Sequence, residues 1–442
     1  MDLSISPSIL RLSGTIIPPG SKSYSHRAFI LAAFANGKTI LKNPLTSGDV
    51  KITIDILSKL GIKIEERKDR NYEIYGGKRI RNISEDIIDC GNSGTSIRIF
   101  SALSLIIDGG LRLKGEFLRR NRPLKPLLKA LEELGAVYSL SEKKLIIQRK
   151  EEKCGDIKIR GNISSQFITS LLILCSIIKC KNKDFLSLQI TTPIVSYPYV
   201  KITQNILKEY GIKIQEEKDN SRFLEYKVKT GQKPKAIKYP VPSDFSSAAF
   251  IIAAATLTPY DSKVIVKNLD FEDPQGDKRI IEILKKMGAY IQKDMENKKV
   301  VCYGNLQKNS LNGIEIDCKN IPDLFPILSV VGAFASGKTV LYNAGNLRLK
   351  ESDRIKIMAR ELTKMGINVE ESTDKLIVFH ANEIKGAKFE HNGDHRIAMA
   401  CSIAALFANS KSLIENIDIV KDSYPNFIID LKKLGASTLK LK

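Results

Sequence analysis

The chain has 442 residues, enough for two domains or more, each with a core of its own. At 43% hydrophobic and 27% charged it reads as a water-soluble globular protein. The formal net charge of +21 suits nucleic acid, an anionic surface or small polyanionic substrates. Its lysines lie in solvated runs such as LKKLG and EEKDN, and there is no tryptophan and no basic stripe interleaved with aromatics, so a nucleic-acid partner is not expected.

Along the chain, the first landmark is the proline-marked crossing IIPPGSK (Ile16 to Lys22). It is followed by SKSYSHRAFILAA, a polar cluster opening an apolar, small-residue helix, and then by the strand KTILKN. A second helix, DVKITIDILSKLG, ends at a glycine, and the strands IKIEERK and NYEIYGG complete a unit. The helix-ending glycine before a strand recurs at 61, 135, 211, 288, 366 and 435. About forty residues before each lies an opening like the first: GNSGTSIRIFSALS, ISSQFITSLLIL, SDFSSAAFIIAAA, IPDLFPILSVVGAFA and GDHRIAMACSIAALFA follow in order. The periodicity predicts six βαβαββ-like units.

A second crossing, KYPVPSD (Lys238 to Asp244), separates the third unit from the fourth. Three units per half predict two pseudo-threefold domains. One is discontinuous, with residues 1–17 and 241–442; the other is inserted, residues 18–240.

No stretch at the start has the basic-then-apolar form of a signal peptide, and the longest nearly apolar run, FITSLLILCSII, is too short to span a bilayer. A cytoplasmic protein without a membrane partner is the expectation. The seven cysteines, at 90, 154, 175, 180, 302, 318 and 401, are odd in number, scattered and never C-x-x-C, which argues against a disulfide framework and a structural zinc site. His391 and His395 have the spacing of a helical zinc pair, but Asn-Gly between them breaks the helix such a pair needs. GAFASGKT (Gly332 to Thr339) satisfies the G-x-x-x-x-G-K-[ST] pattern, yet a helix precedes it and a strand follows, the reverse of a phosphate-binding loop. Gly337 is therefore read as a helix stop.

Small residues along the first helix of each unit predict close-packed, buried helices whose N-termini offer N–H groups and partial positive charge. The polar clusters at those starts make a convergent anion site. Lys22, Ser23 and Arg27 open the first; Asn92, Gly94, Thr95 and Arg98 the second; Ser164, Ser165 and Gln166 the third; Asp323 the fifth; Asp394, His395 and Arg396 the sixth. Taken singly, the Ser, Asn and Asp residues read as helix caps. Lysine or arginine in a first turn opposes the helix dipole, so Lys22, Arg27 and Arg396 call for an anion nearby. Loops ahead of second helices add Arg122 in RRNRPLKPLL, Ser196 and Tyr199 in VSYPYVKIT, and Asn346, Lys350, Glu351 and Arg354 in NLRLKESDR. Alone, the last segment reads as a solvated helix face with charge pairing.

As a set these motifs resemble the enolpyruvylshikimate phosphate synthase (3-phosphoshikimate 1-carboxyvinyltransferase) family. PPGSKSYSHRA, CGNSGTSIR, NRPLKPLL, ISSQFITSLL, SDFSSAAF, IPDLFPIL, LRLKESDRI and GDHRIAMA match in order over nearly the full chain. The resemblance implies an α/β fold of two inverted α/β barrel domains, each of three βαβαββ units, with the site in the interdomain cleft. It implies transfer of the enolpyruvyl group of phosphoenolpyruvate to the 5-hydroxyl of shikimate 3-phosphate, with no metal and no organic cofactor, by a protein expected to be a monomer.

By motif match, Lys22, Gly94, Arg122, Arg354 and Arg396 would hold phosphoenolpyruvate. Ser23, Arg27, Ser164, Ser165, Ser196, Tyr199, Asn346 and Lys350 would hold shikimate 3-phosphate, with Gln166 between the ligands; Asn92 and His395 join the substrate-binding set. Asp323 matches the family's base and Glu351 its acid, while Lys22 stabilises developing charge. The sequence departs from the family at His26, where many members have asparagine, at Tyr197, where lysine is common, and at KDSYP, which puts Asp422 where some members have a lysine and Lys421 one residue earlier. The related transferase acting on a UDP-linked amino sugar carries a cysteine in the loop corresponding to LRRNRP, where none occurs here.

Overall fold

A computed structural model describes residues 1–7, 11–78, 80–82, 87–120, 122–218, 224–259, 261–304 and 311–441. Two short strands come first, β1 (Leu3–Ile5) and β2 (Ser13–Ile16). The first repeat has α1 (Lys22–Phe34), β3 (Gly37–Lys42), α2 (Gly48–Lys59), β4 (Lys63–Glu66) and β5 (Asn71–Gly76). The second has β6 (Ile87–Asp89), α3 (Gly94–Leu103), β7 (Leu111–Lys114), the single turn α4 (Glu116–Arg119), α5 (Lys125–Glu132), β8 (Ala136–Leu140) and β9 (Leu145–Arg149). The third has β10 (Ile157–Ile159), α6 (Ser165–Ile177), β11 (Phe185–Ile190), α7 (Tyr197–Glu209), β12 (Ile214–Lys218) and β13 (Leu224–Lys229), and β14 (Lys238–Pro240) follows.

The fourth repeat comprises α8 (Phe245–Thr256), β15 (Lys263–Val266), α9 (Ile280–Lys286), β16 (Ile291–Asp294) and β17 (Lys299–Tyr303). The fifth has β18 (Glu315–Asp317), α10 (Phe325–Phe334), β19 (Lys338–Tyr342), α11 (Arg354–Lys364), β20 (Val369–Glu371) and β21 (Leu376–Phe379). The sixth has β22 (Lys388–Phe389), α12 (His395–Leu406), β23 (Ser412–Ile414), α13 (Phe427–Leu434) and β24 (Leu439–Leu441).

Among the described residues, six four-stranded sheets share one pattern: a parallel pair joined to an antiparallel pair, as in β6-β7-β9-β8 and β18-β19-β21-β20. In three sheets a strand distant in sequence fills the pattern. Strand β14 is the parallel partner of β3, β2 is that of β15, and β1 lies between β23 and β24. Chain contacts divide the molecule into residues 1–19 with 242–442 and residues 20–241, each with its own hydrophobic core.

The repeat rhythm has a backbone cause. All six repeat glycines, 61, 135, 211, 288, 366 and 435, have φ between +77° and +120°, a region that penalises a Cβ. The first helix of each unit is the buried one. Every residue of α8 and of α12 is buried, and the alanines and serines along them permit close approach. At GAFASGKT, α10 ends at Phe334, Gly337 takes φ +80° and β19 begins at Lys338, so helix leads to strand and no phosphate-binding loop is formed.

The cysteine expectation needs correction. Cys154 and Cys180 form a disulfide, while Cys90, Cys175, Cys302, Cys318 and Cys401 are buried thiols. Parallel pairing of β10 with β11 brings together the segments just before those two strands, a proximity that the 26-residue spacing does not reveal. Asn392 and Gly393 both take positive φ between His391 and His395, and α12 starts only at His395. Among the described residues no helix is long and apolar enough to cross a membrane, and no cluster of three or more His, Cys, Asp or Glu could hold a metal ion.

Candidate active site

In the unit of residues 20–241, the predicted side chains gather at the starts of α1, α3, α6 and α7. Lys22, the first residue of α1, pairs with Asp49 near the start of α2 at 2.6 Å, both mostly shielded. Arg27 lies one turn further in, not in the first turn as its motif suggested, and is 2% exposed. Its Nε donates to Thr203 Oγ1 of α7 at 2.8 Å, and its Nη2 to Thr169 Oγ1 of α6 at 3.0 Å and to the Tyr199 carbonyl at 3.3 Å. Nη1 donates to the Ser23 carbonyl at 2.7 Å. All four acceptors are neutral. Burial accordingly pushes the Arg27 guanidinium down to about 10.

Ser164 caps α6 by accepting the Gln166 N–H at 3.3 Å, and Ser165, the first helical residue, is buried. Ser196, the N-cap of α7, sits in the left-handed region at φ +55°, and its buried Oγ has no hydrogen-bond partner among the described residues. A non-glycine residue held there carries backbone strain, and its buried hydroxyl is unmatched among the described residues. Tyr199 is in the first turn of the same helix.

At α3 the pieces are cationic. Arg122 Nη1 donates to the Asn92 carbonyl at 2.8 Å and to Asn92 Oδ1 at 3.3 Å, and its guanidinium lies 4.9 Å over the Phe117 ring. Arg98, on α3, covers the same ring at 4.9 Å and donates to the Pro123 carbonyl at 2.8 Å and to Gln166 Oε1. Gln166 Nε2 in turn donates to Thr95 Oγ1 at 3.1 Å. Gly94 lies between the two arginines: a Cβ there would be 3.0 Å from Arg122 Nη2 and 3.0 Å from Arg98 Nη1. Asn121, beside Arg122 in its motif, lies outside the described residues.

In the unit of residues 1–19 with 242–442, the second cluster centres on Arg354, the first residue of α11. Far from the solvated face its segment suggested, it is 1% exposed. It pairs with Asp323 at 2.7 Å, Asp394 at 2.8 Å and Glu351 at 3.1 Å. Burial alone would depress its guanidinium, but the carboxylates of Asp394, Asp323 and Glu351 outweigh that and hold it well above the ordinary arginine range.

Asp323 also meets Arg396 of α12 at 2.9 Å. Leu324, not Asp323, holds the N-cap position of α10, so the carboxylate's pairing with two guanidinium groups is the better account of the residue. Asp394 caps α12 by accepting the Arg396 N–H at 3.0 Å. Asn346 and Lys350 lie on and just after the 3-10 turn 345–349, and Asn346 Oδ1 is buried with no partner among the described residues. His395 begins α12, with Asp422 4.0 Å away. Lys421 is half exposed and pairs with Asp418 at 2.5 Å.

Four participants were absent from the expected set. Asp49, Thr169 and Thr203 are partners of Lys22 and Arg27 from other helices, and Asp277 is a buried acid in the turn 276–279. Asp277 accepts from Ser246 Oγ at the start of α8. Burial, reinforced by Asp323 and only partly opposed by Arg396, raises its carboxyl to about 7. Aspartate in QGDKR and threonine inside a helix leave no signal of their own; an unexplained polar residue on a helix otherwise apolar, as at Thr169, is the nearest thing to one.

Repeated βαβαββ units whose buried helices begin with cations and carboxylates define an α/β protein with charged clusters at its helix starts. The fold is shared with an enolpyruvyl transferase from Streptomyces tendae, TM-score 0.79 at 18% identity over 98% of this chain and 97% of that one. The chain belongs to the EPSP synthase (3-phosphoshikimate 1-carboxyvinyltransferase) family, whose model matches residues 7–431. It is 41% identical over 433 residues to the 3-phosphoshikimate 1-carboxyvinyltransferase of Methanocaldococcus jannaschii and 38% to that of Methanococcus maripaludis, covering 97% of both chains in each case. The solved EPSP synthase of Acinetobacter baumannii superposes with TM-score 0.78 at 27% identity, over 99% of each chain. The family reaction transfers the enolpyruvyl group of phosphoenolpyruvate to shikimate 3-phosphate, in the shikimate pathway to aromatic amino acids.

Proposed function

We propose that the two clusters act together on phosphoenolpyruvate and shikimate 3-phosphate, with Asp323 and Glu351 moving the protons. The observation that carries this is the pairing of Asp323 with both Arg354 and Arg396 while Glu351 shares Arg354. Both substrates bear a phosphate and a carboxylate, so a site for the pair needs buried cations and helix N-termini, and guanidinium groups suit both anions.

In the proposed sequence, Asp323 accepts the proton of the 5-hydroxyl as its oxygen bonds to C2 of phosphoenolpyruvate, and Glu351 protonates the methylene carbon. The tetrahedral intermediate then loses a proton from that methyl group back to Glu351 as the C2–O bond to phosphate breaks, and Asp323 passes the hydroxyl proton to the departing phosphate. Lys22, Arg122, Arg354 and Arg396, with the N-terminus of α3 at Gly94, stabilise the phosphoenolpyruvate anions. Arg27, Ser23, Ser164, Ser165, Ser196, Tyr199, Asn346 and Lys350 hold shikimate 3-phosphate; Gln166 touches both ligands, and Asn92 and His395 complete the binding set. The discontinuous unit and the inserted one serve as separate domains that close on the substrates, in a cytoplasmic monomer.

The deciding experiment measures phosphate release from phosphoenolpyruvate, with shikimate 3-phosphate in one sample and the UDP-linked amino sugar in another. Release only with shikimate 3-phosphate is expected. Release with neither, in protein shown to be folded by circular dichroism, would overturn the reading.

A further inference from the structure

A chain of hydrogen bonds ties the first three helices of the 20–241 unit together near their substrate-facing ends. His26, on α1 one turn beyond Lys22, meets Thr53 Oγ1 of α2 through Nδ1 at 2.8 Å. Thr53 Oγ1 lies 3.0 Å from Ser96 Oγ of α3, and Ser93 Oγ, the N-cap of α3, is 2.9 Å from the same Ser96 hydroxyl. The salt bridge between Lys22 and Asp49 joins α1 and α2 a second time, one turn before Thr53. His26, Thr53, Ser93 and Ser96 are all fully buried.

We infer that His26 is a positioning residue, whose neutral imidazole fixes the start of α1 against the start of α3 and so sets Lys22 and Gly94 in register for the substrates. This rests on the substrate reading given under Proposed function.

Ser93 Oγ accepts the Ser96 N–H at 3.1 Å and donates its own proton to Ser96 Oγ. Between Ser96 and Thr53, and between Thr53 and His26 Nδ1, either atom can be the donor, so the chain joins the three helices in either proton order. His26 Nε2 is buried with no hydrogen-bond partner among the described residues. The surroundings oppose a second proton: burial above all, then the charges of Lys22 and Arg27, hold the ring well below the ordinary imidazole range.

His26 is thus a neutral ring at the end of a buried chain of hydroxyls. Its effect on catalysis would pass through the placement of α1 and α3, without contact between imidazole and substrate.

The test combines three variants with a substrate-free measurement. Histidine side-chain 1H–15N spectra of the wild type, with His26 identified by its absence in His26→Leu, should show a neutral ring, and Thr53→Val should shift its Nδ1 signal. A doubly protonated ring, or an Nδ1 signal unmoved by Thr53→Val, would overturn the inference. His26→Leu is expected to raise the KM for phosphoenolpyruvate on the order of tenfold through misplacement, with kcat less affected. His26→Asn, whose amide oxygen can still accept from Thr53, should recover most of the loss. Unchanged KM in His26→Leu, or equal impairment in His26→Asn, would also overturn it. If His26→Leu does not fold, Thr53→Val and His26→Asn carry the kinetic comparison. A wild type that releases no phosphate sinks the substrate reading instead, while the tautomer is still read from the spectra.

Discussion

Arg354 Nε donates to Asp394 Oδ2 at 2.8 Å, and neither side chain is more than 1% exposed. The same guanidinium serves Asp323 and Glu351, so one buried cation compensates three carboxylates from the starts of three helical segments. Removing one partner of a buried pair costs far more than the pair contributes, because the charge left behind keeps its desolvation penalty. Arg354→Met is expected to lose roughly 3–5 kcal/mol of stability at pH 7. The loss should shrink as pH falls and the stranded carboxylates protonate, which urea denaturation at pH 7 and pH 5 would show. A loss equal at both pH values would mean that repacking, not charge, dominates.

Asp323→Asn and Glu351→Gln preserve shape and remove the ability to exchange a proton. Each is expected to lose on the order of a hundredfold or more in kcat, with substrate binding largely retained. Single-turnover measurements with both substrates at saturation would check this. Near-normal turnover in either variant would take that residue out of the mechanism.

Gly94 is a test of the phosphoenolpyruvate cluster. Because the first helical position accepts alanine and the added Cβ would meet only the ends of flexible side chains, the fold should tolerate Gly94→Ala. The added Cβ nevertheless presses on the tips of Arg98 and Arg122, both anchored from behind. The KM for phosphoenolpyruvate should rise on the order of tenfold, with that for shikimate 3-phosphate changing less. Equal changes in the two constants would detach Gly94 from the phosphoenolpyruvate subsite.

Asp277 predicts a pH dependence of opposite sign to that of a salt-bridged carboxylate. Its folded value of about 7 lies above that of an unfolded aspartate near 3.9, so between those limits the folded protein binds the extra proton. Its contribution to stability is full below pH 4 and lost as pH rises through 7. Asp277→Asn retains an acceptor for Ser246 and removes the ionisation, so relative to wild type it should gain stability on going from pH 5 to pH 8. Melting temperatures across that range would decide; parallel curves would leave Asp277 without this role.

The repeat architecture was readable because each unit needs a residue tolerant of positive φ at the same place, and Gly61 and its five counterparts recur at near-constant spacing. The cationic helix starts stood out for a similar reason: Lys22 and Arg396 contradict the helix dipole, and contradictions are visible in one dimension. Compensation is not. Nothing in the sequence joins Asp49 to Lys22, and the burial of Arg354 is invisible because the charges that permit it stand at 323, 351 and 394. Cys154 and Cys180 are a similar case, joined by strand pairing and not by spacing.

The exchange of strands at the chain's beginning has a consequence for synthesis. Strands β1 and β2 are made before every other strand described, yet their pairing partners β15, β23 and β24 all lie beyond residue 260. Elongation at roughly 5–20 residues per second makes that wait tens of seconds for the last of them, while the 20–241 unit already has every strand it needs. Strands β1 and β2 thus leave the ribosome unmatched, and the half of the protein that carries Asp323 and Glu351 cannot complete its sheets until β24 has been made.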